Sequence, residues 1–259
     1  MPTPIPSISP VKSGNPDFWG FIAHLDTALS GMKDPGYAWN FALRNPPTWL
    51  TVSATGTTLP EAAAVLDVAA NQAWQAISQG NANLLLDAIR VIMDWGKVWY
   101  PQGSHKGNEA TVTAMATAGT LLPAVQADLA ALLAGRWSAM ILMNSGWTKV
   151  WAALCPEGAI IFDSRVSKCL ATHLSTYLAG RPLPESLAFR QTVPSTDRRH
   201  IPGLPVATTG SSRAQATGFA SAIVHALVQY ARQIGPGPGR WHAGLSAREL
   251  EARLFMLGA

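Results

Sequence analysis

A chain of 259 residues can bury a sizeable core, as one large domain or as two small helical lobes sharing a cleft. Its two cysteines, Cys155 and Cys169, exclude a disulfide framework, a four-thiolate zinc site and an iron–sulfur cluster, and point to a reducing, cytoplasmic compartment. The net charge is only +4, but residues 1–130 carry six Lys and Arg against nine Asp and Glu, whereas residues 131–259 carry thirteen against six; an Arg-dominated basic half suits a surface that grips phosphates.

The Pro- and Ser-rich stretch Met1 to Phe18 lacks the basic and apolar regions of a secretory signal, so no export is expected. Apolar runs such as Ala139 to Met143 fall far short of the roughly 20 residues of a membrane span, and a soluble protein without membrane attachment is expected. From Leu59 to Gln79, residues such as Val65, Leu66, Ala69, Ala73 and Ile77 recur at three- and four-residue spacing and predict an amphipathic helix with Pro60 near its start. Gly80 and Asn81 break it and Leu84 to Trp95 restart the period, giving a helical hairpin. After the loop Pro101 to Asn108, Glu109 to Ala134 reads as helix, interrupted near Gly119 and Pro123 and ended by Gly135. Trp137 to Met143 and Trp147 to Leu154 are two short helical patterns separated by Asn144, Ser145 and Gly146. Ala159 to Phe162 is a short apolar segment, and Ser164 to Leu178 is helical with Asp163 at its N-cap. Residues 180–212 predict a long loop, Ser212 to Ile234 a helix, and Ser246 with Glu249 a capping box for a terminal helix. The expected fold class is all-α, with more than eight helices and few or no strands.

The segment Met143-Asn-Ser-Gly-Trp-Thr-Lys149-Val-Trp-Ala-Ala-Leu154, followed by Ile161-Phe-Asp163-Ser-Arg-Val166, resembles the helix–hairpin–helix DNA glycosylases, specifically bacterial proteins with an 8-oxoguanine DNA glycosylase fold. In that superfamily a hairpin with a glycine-rich turn precedes a lysine that opens the second helix, and an aspartate stands before a later helix. Lys149 matches the lysine, and Phe162-Asp163-Ser-Arg-Val166 matches the aspartate pattern. The turn departs from the usual pair of glycines two apart, having Ser145, Gly146 and Trp147, and the lysine-to-aspartate separation is shorter than in most members.

The resemblance implies one glycosylase-like domain over 1–259, with an N-terminal lobe at about 17–135, a hairpin and catalytic segment at about 136–180, and C-terminal helices at about 211–257. The implied activity is to flip a modified base out of double-stranded DNA and cleave its N-glycosidic bond, as a monomer and without a cofactor. Lys149 would attack C1′ and form a Schiff base, for which its amine must be neutral part of the time. Asp163 would stabilise the oxocarbenium-like charge on the sugar and help move protons. Asn144, Ser145, Gly146, Trp147, Thr148 and Arg165 would hold the DNA backbone, helped by free N–H groups at the start of the second hairpin helix.

The aromatic stretch from Trp95 to Tyr100 suggests a stacking wall for the flipped base, and Asp94, Trp95, Trp99 and Trp151 are the expected pocket residues. Six histidines show no paired spacing of the metal-site kind, so no metal is expected. Arg198-Arg199-His200 is either a solvated charge cluster or an arm against DNA. The substrate stays open between 8-oxoguanine and a hypermodified phage base such as glucosylated hydroxymethylcytosine, the latter implying antiviral defence; lyase activity also stays open. A non-catalytic helix–hairpin–helix DNA-binding module is the competing class.

Overall fold

The computed structural model describes residues 15–100, 108–192 and 196–258. The Pro- and Ser-rich beginning, most of the loop after Tyr100 and a short piece of the long loop, residues 193–195, therefore lie outside the described residues. The chain runs through α1 (Pro16–Ser30), a two-residue antiparallel ribbon of β1 (Phe41–Ala42) and β2 (Thr55–Gly56), α2 (Leu59–Gln79), α3 (Ala82–Trp95), α4 (Asn108–Thr117) and α5 (Leu121–Leu133). A 3-10 turn at Trp137–Ala139 leads to α6 (Ser145–Leu154), α7 (Ser164–Leu178), α8 (Gly210–Ile234) and α9 (Ala247–Leu257). The architecture is all-α.

Local chemistry sets these boundaries. Thr58 and Glu61 form a reciprocal capping box at the start of α2, and Gly80 ends it in the left-handed conformation, φ 65°. Asn81 then caps α3 through its side chain, so one short turn serves both helices of the hairpin. The capping box of α9, Ser246 with Glu249, is formed as its spacing predicts.

Two hydrophobic clusters organise the helices. The first gathers Phe41 with α2 to α6, and the second gathers α1 with α7, α8 and α9. The sequence-based lobe at about 17–135 is corrected at its start: Phe18, Phe21, Ile22, Leu25 and Leu29 of α1 are buried in the second cluster, against helices from the far end of the chain. The segment between α6 and α7 runs between the clusters with an alternating pattern. Ala159 and Ile161 belong to the first, Ile160 and Phe162 to the second. Successive side chains of this segment enter opposite clusters, so α6 leaves one lobe and α7 enters the other.

The tight hairpin of two short helices is also corrected. Its first arm is only the 3-10 turn, followed by chain without regular structure through Met143. Asp128 of α5, fully buried, holds that stretch by accepting from Ile141 N at 2.8 Å and Leu142 N at 2.7 Å. Burial pushes the Asp128 carboxyl up from its ordinary value, and the two backbone donors oppose the shift. Asp128→Ala leaves both N–H groups unpaired, with an expected loss of about 2–4 kcal/mol in urea unfolding. A loss under ~0.5 kcal/mol would show that packing alone fixes the segment.

Among the described residues no single helix is long and apolar enough to cross a membrane. Both cysteines are free and buried, and burial pushes each thiol up to about 12.

Candidate active site

The start of α6 is fixed by a chain of side-chain amides. Asn144 accepts from Gly146 N at 2.8 Å and Trp147 N at 3.1 Å, and its Nδ2 donates to Asn108 Oδ1 at 3.0 Å. Asn108 in turn donates to the Val98 carbonyl at 2.9 Å, which ties α6 to the turn after α3. Lys149 follows one helical turn later. Its side chain reaches back toward the helix start, as helical side chains do, and Nζ donates to the Ser145 carbonyl at 3.1 Å.

The aliphatic stem of Lys149 lies against Gly96, the C-cap of α3. A Cβ at Gly96 would stand 2.2 Å from Lys149 Cδ and 2.6 Å from Cε. Gly96 has φ −76°, which any residue adopts, so the glycine is there for space. Gly96→Ala should therefore leave the fold within about 1 kcal/mol while driving the Lys149 ammonium off its present position. The 3.8 Å separation of Lys149 Nζ from Asp163 Oδ2 is expected to change in a crystal structure of this variant, and an unchanged separation would show that the stem's path does not matter.

Asp163 approaches from the other lobe. As the N-cap of α7 it uses one oxygen, Oδ1, to accept from Arg165 N at 2.9 Å and Val166 N at 3.2 Å. The other, Oδ2, stands 3.8 Å from Lys149 Nζ. Capping and facing the lysine are thus divided between the two oxygens of one carboxylate. Both side chains are largely withdrawn from solvent, at 6% and 13% exposure, so the pair sits where its electrostatics are only weakly screened.

Two hollows meet at this pair. The inner one, about 60 Å³, is walled mainly by Tyr37, Trp39, Trp95 and Phe255. The outer one is a cleft of about 630 Å³ that shares Trp39, Gly96, Lys149, Asp163 and Phe255 with the inner one. Trp39 and Phe255 stand edge to face at 5.3 Å at the junction. Lys97 Nζ lies 4.5 Å from the Trp39 ring and the Arg165 guanidinium 4.6 Å from the Phe255 ring, both favourable placements over an aromatic face.

The cleft is strongly cationic. Lys97, Lys149, Arg165, Arg199 and Arg213 line it, against one carboxylate, Asp163, among the described residues. Arg199 brings the long loop to the start of α7 by donating to Ser164 Oγ at 2.6 Å. It also pairs with Asp197, whose carboxyl is held well below the usual range by those bonds, so part of the Arg199 charge is balanced locally.

On the floor of the inner hollow is Glu251 of α9, only 6% exposed, whose Oε2 accepts from Ile161 N at 2.9 Å. Burial, with the negative Asp163 adding to it, pushes this carboxyl up to about 8 against the pull of Arg248 and Lys149. The folded chain thus holds a proton that the unfolded chain releases. The contribution of Glu251 to stability is full below its ordinary value of 4.5 and is lost as pH rises through about 8.

Of the residues expected from sequence, Lys149, Asp163, Asn144, Ser145, Thr148 and Arg165 converge on the cleft, and Trp95 walls the inner hollow. Four stand elsewhere. Trp151 is fully buried in the first lobe, its Nε1 donating to the Leu142 carbonyl, and Trp147, 3% exposed, stacks on it at 5.4 Å. Asp94 is paired with Arg44, Nε to Oδ1 2.9 Å, and with Trp99 it lines a separate depression. The expected phosphate grip at the start of α6 is also corrected. Gly146 is packed against the Asn108 side chain, and the N–H groups of Gly146 and Trp147 are already taken by Asn144. Sequence reasoning passed over Tyr37, Trp39, Arg213, Glu251 and Phe255.

Comparison with protein-family models, with curated proteins and with solved structures gives no match.

Proposed function

We propose that this chain is a DNA glycosylase, excising a modified base through Lys149 and Asp163. The observation that carries the reading is the Lys149–Asp163 pair, 3.8 Å apart, at the junction between a narrow aromatic hollow and a cation-lined cleft. A base flipped from the duplex leaves its sugar at such a junction, with the ring in the hollow and the phosphates in the cleft. Lys149, after losing a proton, attacks C1′ as the bond to the base breaks; the base leaves with the bonding electrons and takes up a proton. The resulting aminal opens to a Schiff base. Asp163 stabilises the positive charge that develops on the sugar in between.

Substrate size follows from the hollow. About 60 Å³ of water-accessible space holds roughly five waters, which supports a compact flat base such as 8-oxoguanine over one carrying a glucose. The partner is double-stranded DNA containing that base. The test is to incubate the protein with duplexes carrying 8-oxoguanine and other modified bases in the presence of borohydride. A covalent protein–DNA adduct with concurrent base release is expected. Absence of both from every duplex, with DNA still bound, would favour the non-catalytic DNA-binding module.

A further inference from the structure

We infer that Glu251 is a specificity-determining residue, its buried carboxyl hydrogen-bonding the edge of the base in the inner hollow as an uncharged acid. This rests on the glycosylase reading and adds to it the kind of ring edge the site selects.

The hollow is apolar on its walls and polar at a few buried points. Tyr37 Oη and Trp95 Nε1 are both buried without a hydrogen-bond partner, and both residues line it. Buried polar groups are normally paired, so these two atoms mark a lining whose polar groups the protein itself does not saturate. Glu251 adds a carboxyl with Oε2 engaged by Ile161 N.

The charged and titratable groups around Glu251 are Lys149 on α6, Asp163 at the start of α7, Arg248 on its own helix and the Tyr37 phenol. Arg248 is turned to Asp67, Nη1 to Oδ1 2.6 Å, and Lys149 stands near Asp163. Burial outweighs the two cations, and the carboxyl carries its proton up to about pH 8. An ionised carboxylate offers acceptors only, whereas a carboxylic acid offers one O–H donor beside acceptor lone pairs. The ring edge it complements has a donor next to an acceptor, such as an N–H beside a carbonyl. A negative charge in the same hollow would face that carbonyl without hydration.

Glu251→Gln keeps the shape and an N–H donor but cannot ionise. Single-turnover release of 8-oxoguanine is measured for both proteins from pH 6.5 to 9.5, and the ratio of the Gln variant to the parent is taken at each pH. The ratio is expected to rise about thirtyfold between pH 7 and pH 9.5, as loss of one proton from the parent with a pKa of about 8 dictates. A second readout is thermal: the parent's unfolding midpoint should fall relative to the variant's between pH 5 and 8. A rate ratio that stays flat with pH overturns the inference while leaving the glycosylase reading in place. If the parent releases no base and forms no borohydride adduct on any duplex, both fall together.

Discussion

Lys149→Gln is expected to abolish the borohydride adduct and to slow base release by about 10²–10⁴-fold. The substitution suits the site because a glutamine follows the same path past Gly96 and retains an N–H donor for the Ser145 carbonyl. It removes the amine. It also leaves Asp163 without its facing cation, and a buried carboxylate that loses its partner costs stability. Oδ1 of Asp163 still accepts two backbone N–H groups, which limits that cost. Unfolding midpoints measured beside the rates separate the two effects, since a variant that melts near the parent and no longer reacts has lost chemistry rather than fold. If trapping vanishes while base release persists at the parental rate, Lys149 is not the nucleophile, and Asp163 with a water molecule becomes the working assignment.

The order of helices was legible where local chemistry decides it. The 3.6-residue period gave α2 and α3, the glycine and asparagine between them gave the turn, and Asp163 and Ser246 announced the helices they cap. The grouping into lobes was not, because α1 packs against α7 and α8, and no local pattern records a contact made across most of the chain. Aromatic position misled for a simpler reason. Trp147 and Trp151 flank polar residues in sequence, yet four residues is one helical turn, and the two rings stack on the buried face of α6. Asp94 is next to Trp95, but a one-residue step on a helix turns the side chain by about 100°, and it faces Arg44 instead.

Glu251 was the least legible, since Arg-Glu-Leu-Glu-Ala-Arg reads as a solvated helix. Its one local signal was spacing: it stands four residues before Phe255, which places both on one face, the face that lines the inner hollow. Tyr37 and Trp39 lie outside any regular element, where no periodicity is available to assign them a side.

Asp163→Asn isolates charge from structure at the other half of the pair. The amide oxygen can take over the bonds from Arg165 N and Val166 N, and Asn caps helices about as well as Asp, so stability should change by less than about 1 kcal/mol. The group turned to Lys149 then carries no charge. Base release is expected to drop by about 10²–10⁴-fold, because among the described residues nothing else lining the cleft offers a negative charge to a cationic sugar. DNA affinity should rise at the same time, since the substitution removes the one carboxylate that lines the cleft beside five cations among the described residues, and the gain should shrink as salt is added. The combination is diagnostic. A carboxylate facing a polyanion weakens binding and is retained only if chemistry needs it, so tighter binding with lost release assigns Asp163 to the reaction. Tighter binding by a protein whose parent releases no base from any duplex assigns the cleft to grip alone.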